Sequence, residues 1–322
     1  MIRATRTVRL AVTLGDPRGI GPEVAAAAAR TVAAEQPESI ELVFVGPPSL
    51  APPSAHDVVS VPTDRPWDDP AQAGRIAAAA IREAVRLALA GEVSGIVTAP
   101  IDKAALHAAG EPFPGHTEML AELARVRDVV MLMAAERTRL GGPLRVVLAT
   151  KHVPLARVPD LLSPELLVSQ ARIVERALRE DWQIARPRLA LCAVNPHASD
   201  GGLFGDEEAR IVKPALDTLT AAGLDATGPL PADTVFVRAL RGDFDVVIAP
   251  YHDVGMAAFK TASFGQGVNV TLGLPFVRTS PDHGTALDIA GKGVADPSSM
   301  AEAIRLAARL ARARQVLSGM SA

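Results

Sequence analysis

Aromatic side chains are scarce in this sequence, making up only 3% of its 322 residues. Few rings are therefore available to stack on single-stranded bases, and a formal net charge of −3 gives no overall attraction for nucleic acid. The single cysteine, Cys192, rules out an intrachain disulfide, and its apolar surroundings predict a small buried residue rather than a reactive thiol. No apolar stretch approaches the roughly 20 residues of a membrane span. These absences predict a cytoplasmic protein with neither a nucleic-acid nor a membrane partner.

Short apolar, β-branched runs alternate along the chain with longer alanine- and leucine-rich amphipathic stretches. The predicted strands are Val8–Thr13, Ile40–Val45, Gly95–Thr98, Arg145–Ala149, Arg188–Val194, Asp245–Ala249 and Val268–Leu272. The predicted helices are Glu23–Glu35, Ala71–Leu89, Pro164–Arg179, Glu207–Ala222 and Ser298–Arg314. This alternation predicts an α/β protein with βαβ units and largely parallel sheets flanked by helices. Such sheets bind ligands beyond the carboxyl ends of their strands, so the residues after each apolar run are of most interest.

A histidine follows each of three apolar runs at a similar distance, and each of the three is predicted to lie in a loop. His152 follows Arg145–Ala149, His197 follows Leu189–Val194, and His252 follows Asp245–Ala249. A lone histidine is most often an ordinary surface or core side chain, but three of the seven histidines in one register favour a shared role. If the strands are neighbours, the imidazoles meet at one sheet edge and could hold a divalent metal with open positions for substrate oxygens. Asp253 and Asp233 are acids that could complete or orient such a site.

Glycines and polar residues elsewhere suggest cofactor and anion contacts. The segment Leu14–Glu23 carries only part of a dinucleotide fingerprint, because Val24 occupies the third glycine position; a tight turn before a helix is equally compatible. His116 and Thr117 precede a predicted helix and would suit a phosphate or carboxylate, although Thr117 could simply be an N-cap.

Three further polar residues lie beyond the last of these histidines. Lys260, Asn269 and Arg278 could bind an oxyanion, but a solvated lysine and a surface ion pair are the ordinary interpretations. The segment Asp282–Gly293 predicts a helix start where the backbone approaches a flat cofactor closely, with Gly291 and Gly293 ending the helix. A plain helix with a glycine cap is the alternative.

Taken together, several motifs closely resemble the 4-hydroxythreonine-4-phosphate dehydrogenase family. They occur in the family's order across nearly the whole chain: Gly19–Pro22, Pro114–Glu118, Asn195–Ala198, Pro231–Thr234, Tyr251–Asp253 and Gly267–Pro275. The segment Asp282–Gly293 also resembles the cofactor loop of isocitrate and isopropylmalate dehydrogenases. The resemblance implies an isocitrate/isopropylmalate dehydrogenase-like fold, not a Rossmann fold. It implies one domain from residues 1–125 and 267–322, a second from 126–266, and an active site in the cleft between them.

The resemblance also implies the reaction and the residues that perform it. The expected reaction is the NAD- or NADP-dependent oxidative decarboxylation of 4-hydroxy-L-threonine 4-phosphate to 3-amino-2-oxopropyl phosphate, in pyridoxal phosphate biosynthesis. One divalent metal (Zn, Mg, Co or Mn) is expected in each site of a homodimer, shared between the subunits. The implied metal ligands are His152, His197 and His252; the substrate-binding residues are His116, Thr117, Lys260, Asn269 and Arg278. Lys260 and Asp233 are the catalytic candidates, and Gly273, His283, Gly284 and Asp288 the cofactor-binding ones.

The chain departs from the family pattern in places that bear on the substrate. Val254 follows the Tyr-His-Asp motif where the family commonly has glutamine, Arg18 replaces a typical alanine, and the stretch Met256–Gln266 is unusual. A sibling dehydrogenase acting on another phosphorylated hydroxy acid, such as a four-carbon aldonate 4-phosphate, or on an aromatic dihydrodiol carboxylate is therefore an open alternative. A second alternative is a non-redox protein that binds a metal or transfers acyl-phosphate groups, because fold alone does not fix function.

Overall fold

The computed structural model describes residues 7–35, 40–55, 57–63 and 66–320. Its strands are β1 (Val8–Thr13), β2 (Ile40–Gly46), β3 (Asp57–Ser60), β4 (Gly95–Thr98), β5 (Val130–Ala135), β6 (Leu144–Leu148), β7 (Arg188–Cys192), β8 (Asp225–Leu230), β9 (Val246–Ala249), β10 (Val268–Leu272) and β11 (Val277–Pro281). Its α-helices are α1 (Gly21–Glu35), α2 (Pro70–Leu89), α3 (Lys103–Ala108), α4 (His116–Leu123), α5 (Val158–Leu161), α6 (Pro164–Glu180), α7 (Lys213–Ala221), α8 (Ala232–Leu240), α9 (His252–Ser263) and α10 (Ser298–Met320). Short 3-10 turns cover Pro48–Leu50, Leu155–Arg157 and Pro196–Gly202, and a π-helical turn covers Glu208–Val212.

The chain forms two compact units, one from residues 1–129 and 268–322 and the other from residues 130–267. In the first unit the strand order is β3-β2-β1-β4-β11-β10, and all pairs are parallel except β10 with β11. Strand β1 is almost fully buried, as expected for a parallel strand covered on both faces. Helix α2 contributes Ile76, Ile81 and Val85 to the core of this unit. It begins at Asp69, whose side chain accepts a hydrogen bond from the backbone N–H of Gln72 at 3.0 Å.

In the second unit the strand order is β5-β6-β9-β7-β8, with β5 antiparallel to β6 and the remaining pairs parallel. Helix α6 begins at Ser163, whose hydroxyl accepts a hydrogen bond from the backbone N–H of Leu166 at 3.1 Å. Strands β6, β9 and β7 are adjacent and parallel, so their carboxyl ends lie at one edge of the sheet. The segments that follow these three strands carry His152, His252 and His197.

The α/β class, the largely parallel strands and the flanking helices are confirmed. Each predicted strand begins and ends within two residues of the limits of an observed strand. Helix α10 continues six residues past its predicted end at Arg314. Strands β3, β5, β8 and β11 and helices α3, α5, α8 and α9 were not predicted. The predicted helix Glu207–Ala222 is divided into a π-helical turn and α7.

Two predictions from composition can be compared with the structure. Cys192 is buried, and this burial raises the pKa of its thiol to about 12, which agrees with an inert core residue. Within the described residues, no helix combines the length and apolar character that crossing a membrane requires.

Candidate active site

A buried arginine is the most unusual side chain of the first unit. Arg278, on β11, is only 2% exposed. Its Nη1 donates to the Thr271 hydroxyl at 2.9 Å, and its Nη2 donates to the Thr98 hydroxyl at 2.7 Å. Its Nε is buried without a hydrogen-bond partner in the described structure. Since a buried guanidinium normally has all of its donors satisfied, the unpartnered Nε indicates a place for an anionic ligand.

The surroundings of Arg278 weaken but do not remove its charge. Burial lowers the pKa of the guanidinium to about 10, although the charge of Glu118 acts in the opposite direction. The side chain therefore remains cationic at neutral pH. No ion pair joins it to any acid among the described residues, so a large part of its charge is uncompensated.

His116 and Asn269 add two more unpartnered polar atoms in the same unit. His116 is the first residue of α4, and its Nε2 is buried without a hydrogen-bond partner in the described structure; the same is true of Oδ1 of Asn269 on β10. Burial, and then the charges of Arg278 and Lys103, lower the pKa of His116 well below its ordinary value. The imidazole is therefore neutral at physiological pH and can donate a hydrogen bond from Nε2 to an oxyanion.

Thr117 is the second residue of α4, and Gly115 occupies the N-cap position. The interpretation of Thr117 as an N-cap is therefore wrong, because the helix begins two residues earlier than that interpretation requires. Helix α4 thus places His116 and Thr117 side by side in its first turn. The sequence did not identify Thr98 and Thr271, whose hydroxyls accept hydrogen bonds from the Arg278 guanidinium. Threonine is common in strands because of its β propensity, so its presence there does not indicate such a role.

Arg18 joins the loop after β1 to the start of α3. Its Nη2 lies 2.7 Å from Oδ2 of Asp16 and 3.1 Å from Oδ2 of Asp102. Asp16 is 1% exposed, and hydrogen bonding to this residue is the main cause of the raised pKa of Arg18. Oδ1 of Asp102 in turn accepts from the backbone N–H of Ala104 at 2.8 Å and so caps α3. The arginine that departs from the family pattern is therefore a structural link between two aspartates.

Two of the three predicted metal ligands come together in the second unit. The ring centroids of His152 and His252 are 5.4 Å apart. Both line a cavity of about 270 Å³ together with Lys151, Val153, Pro154, Leu155, Val158, Tyr251 and Asp253. Nδ1 of His252 lies 2.7 Å from Oδ1 of Asp253, which leaves Nε2 as the nitrogen available to a metal. The donor set therefore fits a divalent ion through two imidazoles.

His252 was predicted to lie in a loop, but it is the first residue of helix α9. The prediction failed because α9 starts directly after Tyr251, with no loop between the strand-end residues and the helix. Val254, in the first turn of the same helix, packs against the core of the second unit. This valine therefore makes hydrophobic contacts with the core of the second unit.

His197 lies in a strained turn. His197, Ala198, Ser199 and Asp200 all have positive φ angles, between 43° and 68°, followed by Gly201 and Gly202 in the same region. A left-handed conformation costs a non-glycine residue roughly 1–2 kcal/mol, so neighbouring contacts must hold this run in place. Strain of this kind clusters at functional sites.

Glu208 provides those contacts. It is 5% exposed and accepts hydrogen bonds from the backbone N–H groups of Val194 and Asn195, at 2.8 and 2.7 Å, and from the Ser199 hydroxyl. Burial opposes its ionisation, but the hydrogen bonds from Ser199 and Asn195 outweigh burial and lower its pKa. Sequence reasoning missed Glu208, because an acid at the start of a predicted helix usually has a capping role.

Within one chain, the described residues contain no group of three or more His, Cys, Asp or Glu side chains that could hold a metal ion. The structure therefore pairs His152 with His252 and leaves His197 outside that pair. Asp233 is exposed in the first turn of α8. Lys260 is exposed on α9, eight residues after His252, which is roughly 12 Å along the helix axis at about 1.5 Å per residue.

The segment Asp282–Gly293 is a series of turns and bends, so the predicted helix start is wrong. Its backbone is held from outside: Thr285 O accepts from the N–H of Ile20 at 2.9 Å, and the Glu23 carboxylate accepts from the N–H groups of Gly291 and Gly293. These contacts replace helical hydrogen bonds. A Cβ at Gly19 would lie 2.8 Å from Thr285 O, so this glycine allows the close approach of the two loops.

The predicted cofactor residues lie in this segment and just before it. Nε2 of His283 is buried without a hydrogen-bond partner in the described structure, and the space beside Gly284 is open. Asp288 is exposed. Gly273 has a φ of 94°, and a Cβ there would lie 2.6 Å from Asp128 O. An unpartnered imidazole beside an open, side-chain-free position is compatible with a bound nicotinamide cofactor.

Together, the α/β fold and the buried, unpartnered polar atoms of Arg278, His116 and Asn269 (the anion pocket) are typical of an enzyme that acts on small anionic molecules. The chain belongs to the family described as "Pyridoxal phosphate biosynthetic protein PdxA", whose model matches residues 12–307. It is 44% identical to 4-hydroxythreonine-4-phosphate dehydrogenase of Paracoccus denitrificans (94% of this chain, 98% of that protein). It is 40% identical to D-threonate 4-phosphate dehydrogenase of Pectobacterium atrosepticum (94% and 99%). The crystal structure of 4-hydroxythreonine-4-phosphate dehydrogenase from Klebsiella pneumoniae matches with a TM-score of 0.84 at 39% identity (96% and 99%).

Proposed function

We propose that this chain is a cytoplasmic, metal-dependent NAD(P) dehydrogenase of pyridoxal phosphate biosynthesis. It converts 4-hydroxy-L-threonine 4-phosphate to 3-amino-2-oxopropyl phosphate by oxidative decarboxylation. The observation that carries this proposal is the buried, uncompensated charge of Arg278 beside the unpartnered Nε2 of His116. A phosphorylated substrate would supply the anion that this pocket lacks, and the family relationship supports the reaction.

The first unit binds the substrate's phosphate in this proposal. Arg278 contributes its Nε and its charge, and neutral His116 donates from Nε2. Thr117 and Asn269 add a hydroxyl and an amide to the same set of ligands. Because Arg278 is already fixed by two threonines, little side-chain entropy is lost when the anion binds.

The second unit holds the metal through histidines. His152 and His252 are the pair from one subunit, since their rings are 5.4 Å apart, and the third ligand is His197 of the partner subunit in a homodimer. When bound, a divalent ion (Zn, Mg, Co or Mn) would act as a Lewis acid on the substrate's oxygens. Asp253 orients the imidazole of His252 through the contact at Nδ1, and Glu208 holds the turn that carries His197.

Lys260 and Asp233 are the proposed proton-transfer residues. Both are exposed and can exchange protons with solvent. NAD or NADP is proposed to bind at Gly273, His283, Gly284 and Asp288, where the unpartnered Nε2 of His283 offers a hydrogen bond. The bound nicotinamide would accept the hydride from the substrate.

A second candidate function is D-threonate 4-phosphate dehydrogenase. The 40% identity with the Pectobacterium enzyme over nearly the whole of both chains favours it. Both candidate substrates carry a 4-phosphate, so the anion pocket serves either reaction equally. They differ in the group at carbon 2, which the pocket residues do not contact in this proposal.

The two functions are separated by measuring kcat/KM for both substrates side by side, with NAD and NADP and each of the four metals. We expect 4-hydroxy-L-threonine 4-phosphate to be preferred by at least about tenfold, a difference of about 1.4 kcal/mol in transition-state binding. A preference of the same size for D-threonate 4-phosphate would reassign the chain to the second function. For both substrates, kcat/KM should be higher with the phosphorylated form than with the unphosphorylated form, because only the phosphorylated form supplies the anion that binds Arg278.

A further inference from the structure

A lysine that no motif identified lies beside the anion pocket of the first unit. We propose that Lys103 is a further substrate-binding residue that contacts the phosphate together with His116 and Arg278. This inference rests on the proposed function, since it concerns the same pocket. It makes the pocket a site for a doubly charged phosphate rather than for a single carboxylate, because three positively charged or hydrogen-donating groups face the ligand.

The position of Lys103 follows from its distance to Gly115. A Cβ built on Gly115 would lie 3.7 Å from Cε of Lys103, so the charged end of the lysine lies next to the residue that precedes His116. The same point is 3.7 Å from Oε2 of Glu118, the carboxylate whose charge also acts on Arg278. Lys103 is exposed at the start of α3 and has no ion pair within 4.0 Å among the described residues. Its ammonium group is therefore available to a ligand.

A second observation links Lys103 to the pocket through charge. The positive charges that lower the pKa of His116, after burial, are those of Arg278 and Lys103. Lys103 is therefore close enough to act on the imidazole electrostatically. His116 is therefore close to both cations, and its Nε2 and the Nε of Arg278 are both buried without a hydrogen-bond partner in the described structure.

The backbone of Lys103 is fixed more firmly than its exposure suggests. Asp102, the preceding residue, caps α3 and is also bound by Arg18 at 3.1 Å. Arg18 is bound in turn to the buried Asp16. The departure from the family pattern at position 18 thus anchors the helix that carries Lys103. A fixed backbone reduces the entropy lost when the lysine closes on an anion.

The test is the binding of inorganic phosphate to Lys103→Met, which removes the charge and keeps the apolar stem. We expect the dissociation constant to rise about tenfold or more, since a hydrogen bond to a charged group is lost. Lys103→Arg should restore most of the affinity. Lys213→Met is the matched control: Lys213 is also an exposed lysine at the first position of a helix, α7, but in the other unit, and its loss should leave phosphate binding unchanged.

A second readout is the pKa of His116, followed by NMR of the imidazole. The charges of Lys103 and Arg278 both lower the pKa of His116, and Lys103→Met removes only the first of them. The pKa of His116 should therefore rise toward its ordinary value. Unchanged phosphate affinity in Lys103→Met, or a wild-type protein that does not bind phosphate, would overturn the inference. Neither measurement requires turnover, metal or nicotinamide. A chain that fails to oxidise 4-hydroxy-L-threonine 4-phosphate, yet loses phosphate affinity with Lys103→Met, would refute the proposed reaction and keep this inference.

Discussion

Arg278→Met is expected to lower kcat/KM by about a hundredfold to a thousandfold while leaving the protein folded. Truncating one partner of a buried, hydrogen-bonded charge pair costs about 2–5 kcal/mol of binding, and the phosphate would lose its most buried partner. Stability should change little. The two hydrogen bonds to Thr98 and Thr271 are lost, but a buried, uncompensated charge is lost with them. Steady-state kinetics with thermal unfolding of the same samples measures both effects.

Arg145→Met is the matched control, because Arg145 is the other strongly buried arginine among the residues that the structure describes. It is 7% exposed and forms a two-pronged contact with Glu136, at 2.9 Å from both Nε and Nη2. Removing it breaks this two-pronged, largely buried ion pair, so the free energy of unfolding should fall by about 3 kcal/mol while KM stays unchanged. The reverse pattern, in which Arg278→Met unfolds the protein and Arg145→Met raises KM, would contradict the assignment of Arg278 to the substrate.

The pH dependence of the Arg278→Met effect has a defined sign. The folded-state pKa of about 10 is well below the ordinary value of a guanidinium, so the folded protein binds this proton less tightly than the unfolded chain. The charged side chain therefore destabilises the fold at neutral pH, and this cost declines as the pH rises through 10. Relative to Arg278→Met, the wild-type protein should gain stability between pH 8 and about 10.5. A bound phosphate should produce a similar gain at neutral pH.

Substituting any one of His152, His197 and His252 by alanine is expected to remove metal and essentially all activity. The more informative experiment co-expresses two inactive variants. If His197 reaches the His152–His252 pair of the partner subunit, mixed dimers of His197→Ala with His252→Ala contain one intact site and one doubly altered site. Random pairing puts half of the subunits in mixed dimers, so activity should recover to roughly a quarter of wild type. Metal content per subunit should recover in the same proportion.

The control for this experiment is the mixture of His152→Ala with His252→Ala. These two rings are neighbours in one chain, at 5.4 Å, so every site in a mixed dimer would lack one of them and no recovery is expected. Recovery in this control, or none with His197→Ala and His252→Ala, would show that the ligands are distributed differently between subunits. Full metal binding by His197→Ala alone would remove His197 from the site.

Periodic patterns predicted the regular parts of the fold well. Strands such as β1 and β4 are largely apolar, since nearly all of their residues are buried, and their limits were predicted correctly. Strand β8 was missed because its sequence, Asp-Ala-Thr-Gly-Pro-Leu, has the composition of a turn and is only partly buried. Helix α9 was missed because its first two residues, His252 and Asp253, were interpreted as part of a metal-binding loop. Its apolar face, which includes Phe259, is also short.

The site was predicted in part, and the missed residues share a physical reason. His116 and Arg278 were singled out from motifs, and the structure shows that burial lowers the pKa of both side chains and that the charge of Arg278 lowers the pKa of His116 further. Glu208 and Lys103 were missed because their roles depend on contacts between distant segments of the chain. Glu208 reaches back to Asn195, and Lys103 lies beside Gly115. Neither relationship leaves a spacing pattern in the sequence.

The most direct test is NADH or NADPH formation from 4-hydroxy-L-threonine 4-phosphate by the purified, chelator-treated protein, before and after one divalent metal is added back. We predict negligible reduction without metal and restored turnover with at least one of zinc, magnesium, cobalt or manganese, with carbon dioxide released in equal amount. The His197→Ala variant should stay inactive under both conditions. Equal turnover with and without metal, or metal binding without any nicotinamide reduction on either 4-phosphate substrate, would contradict the account of this chain as a metal-dependent dehydrogenase.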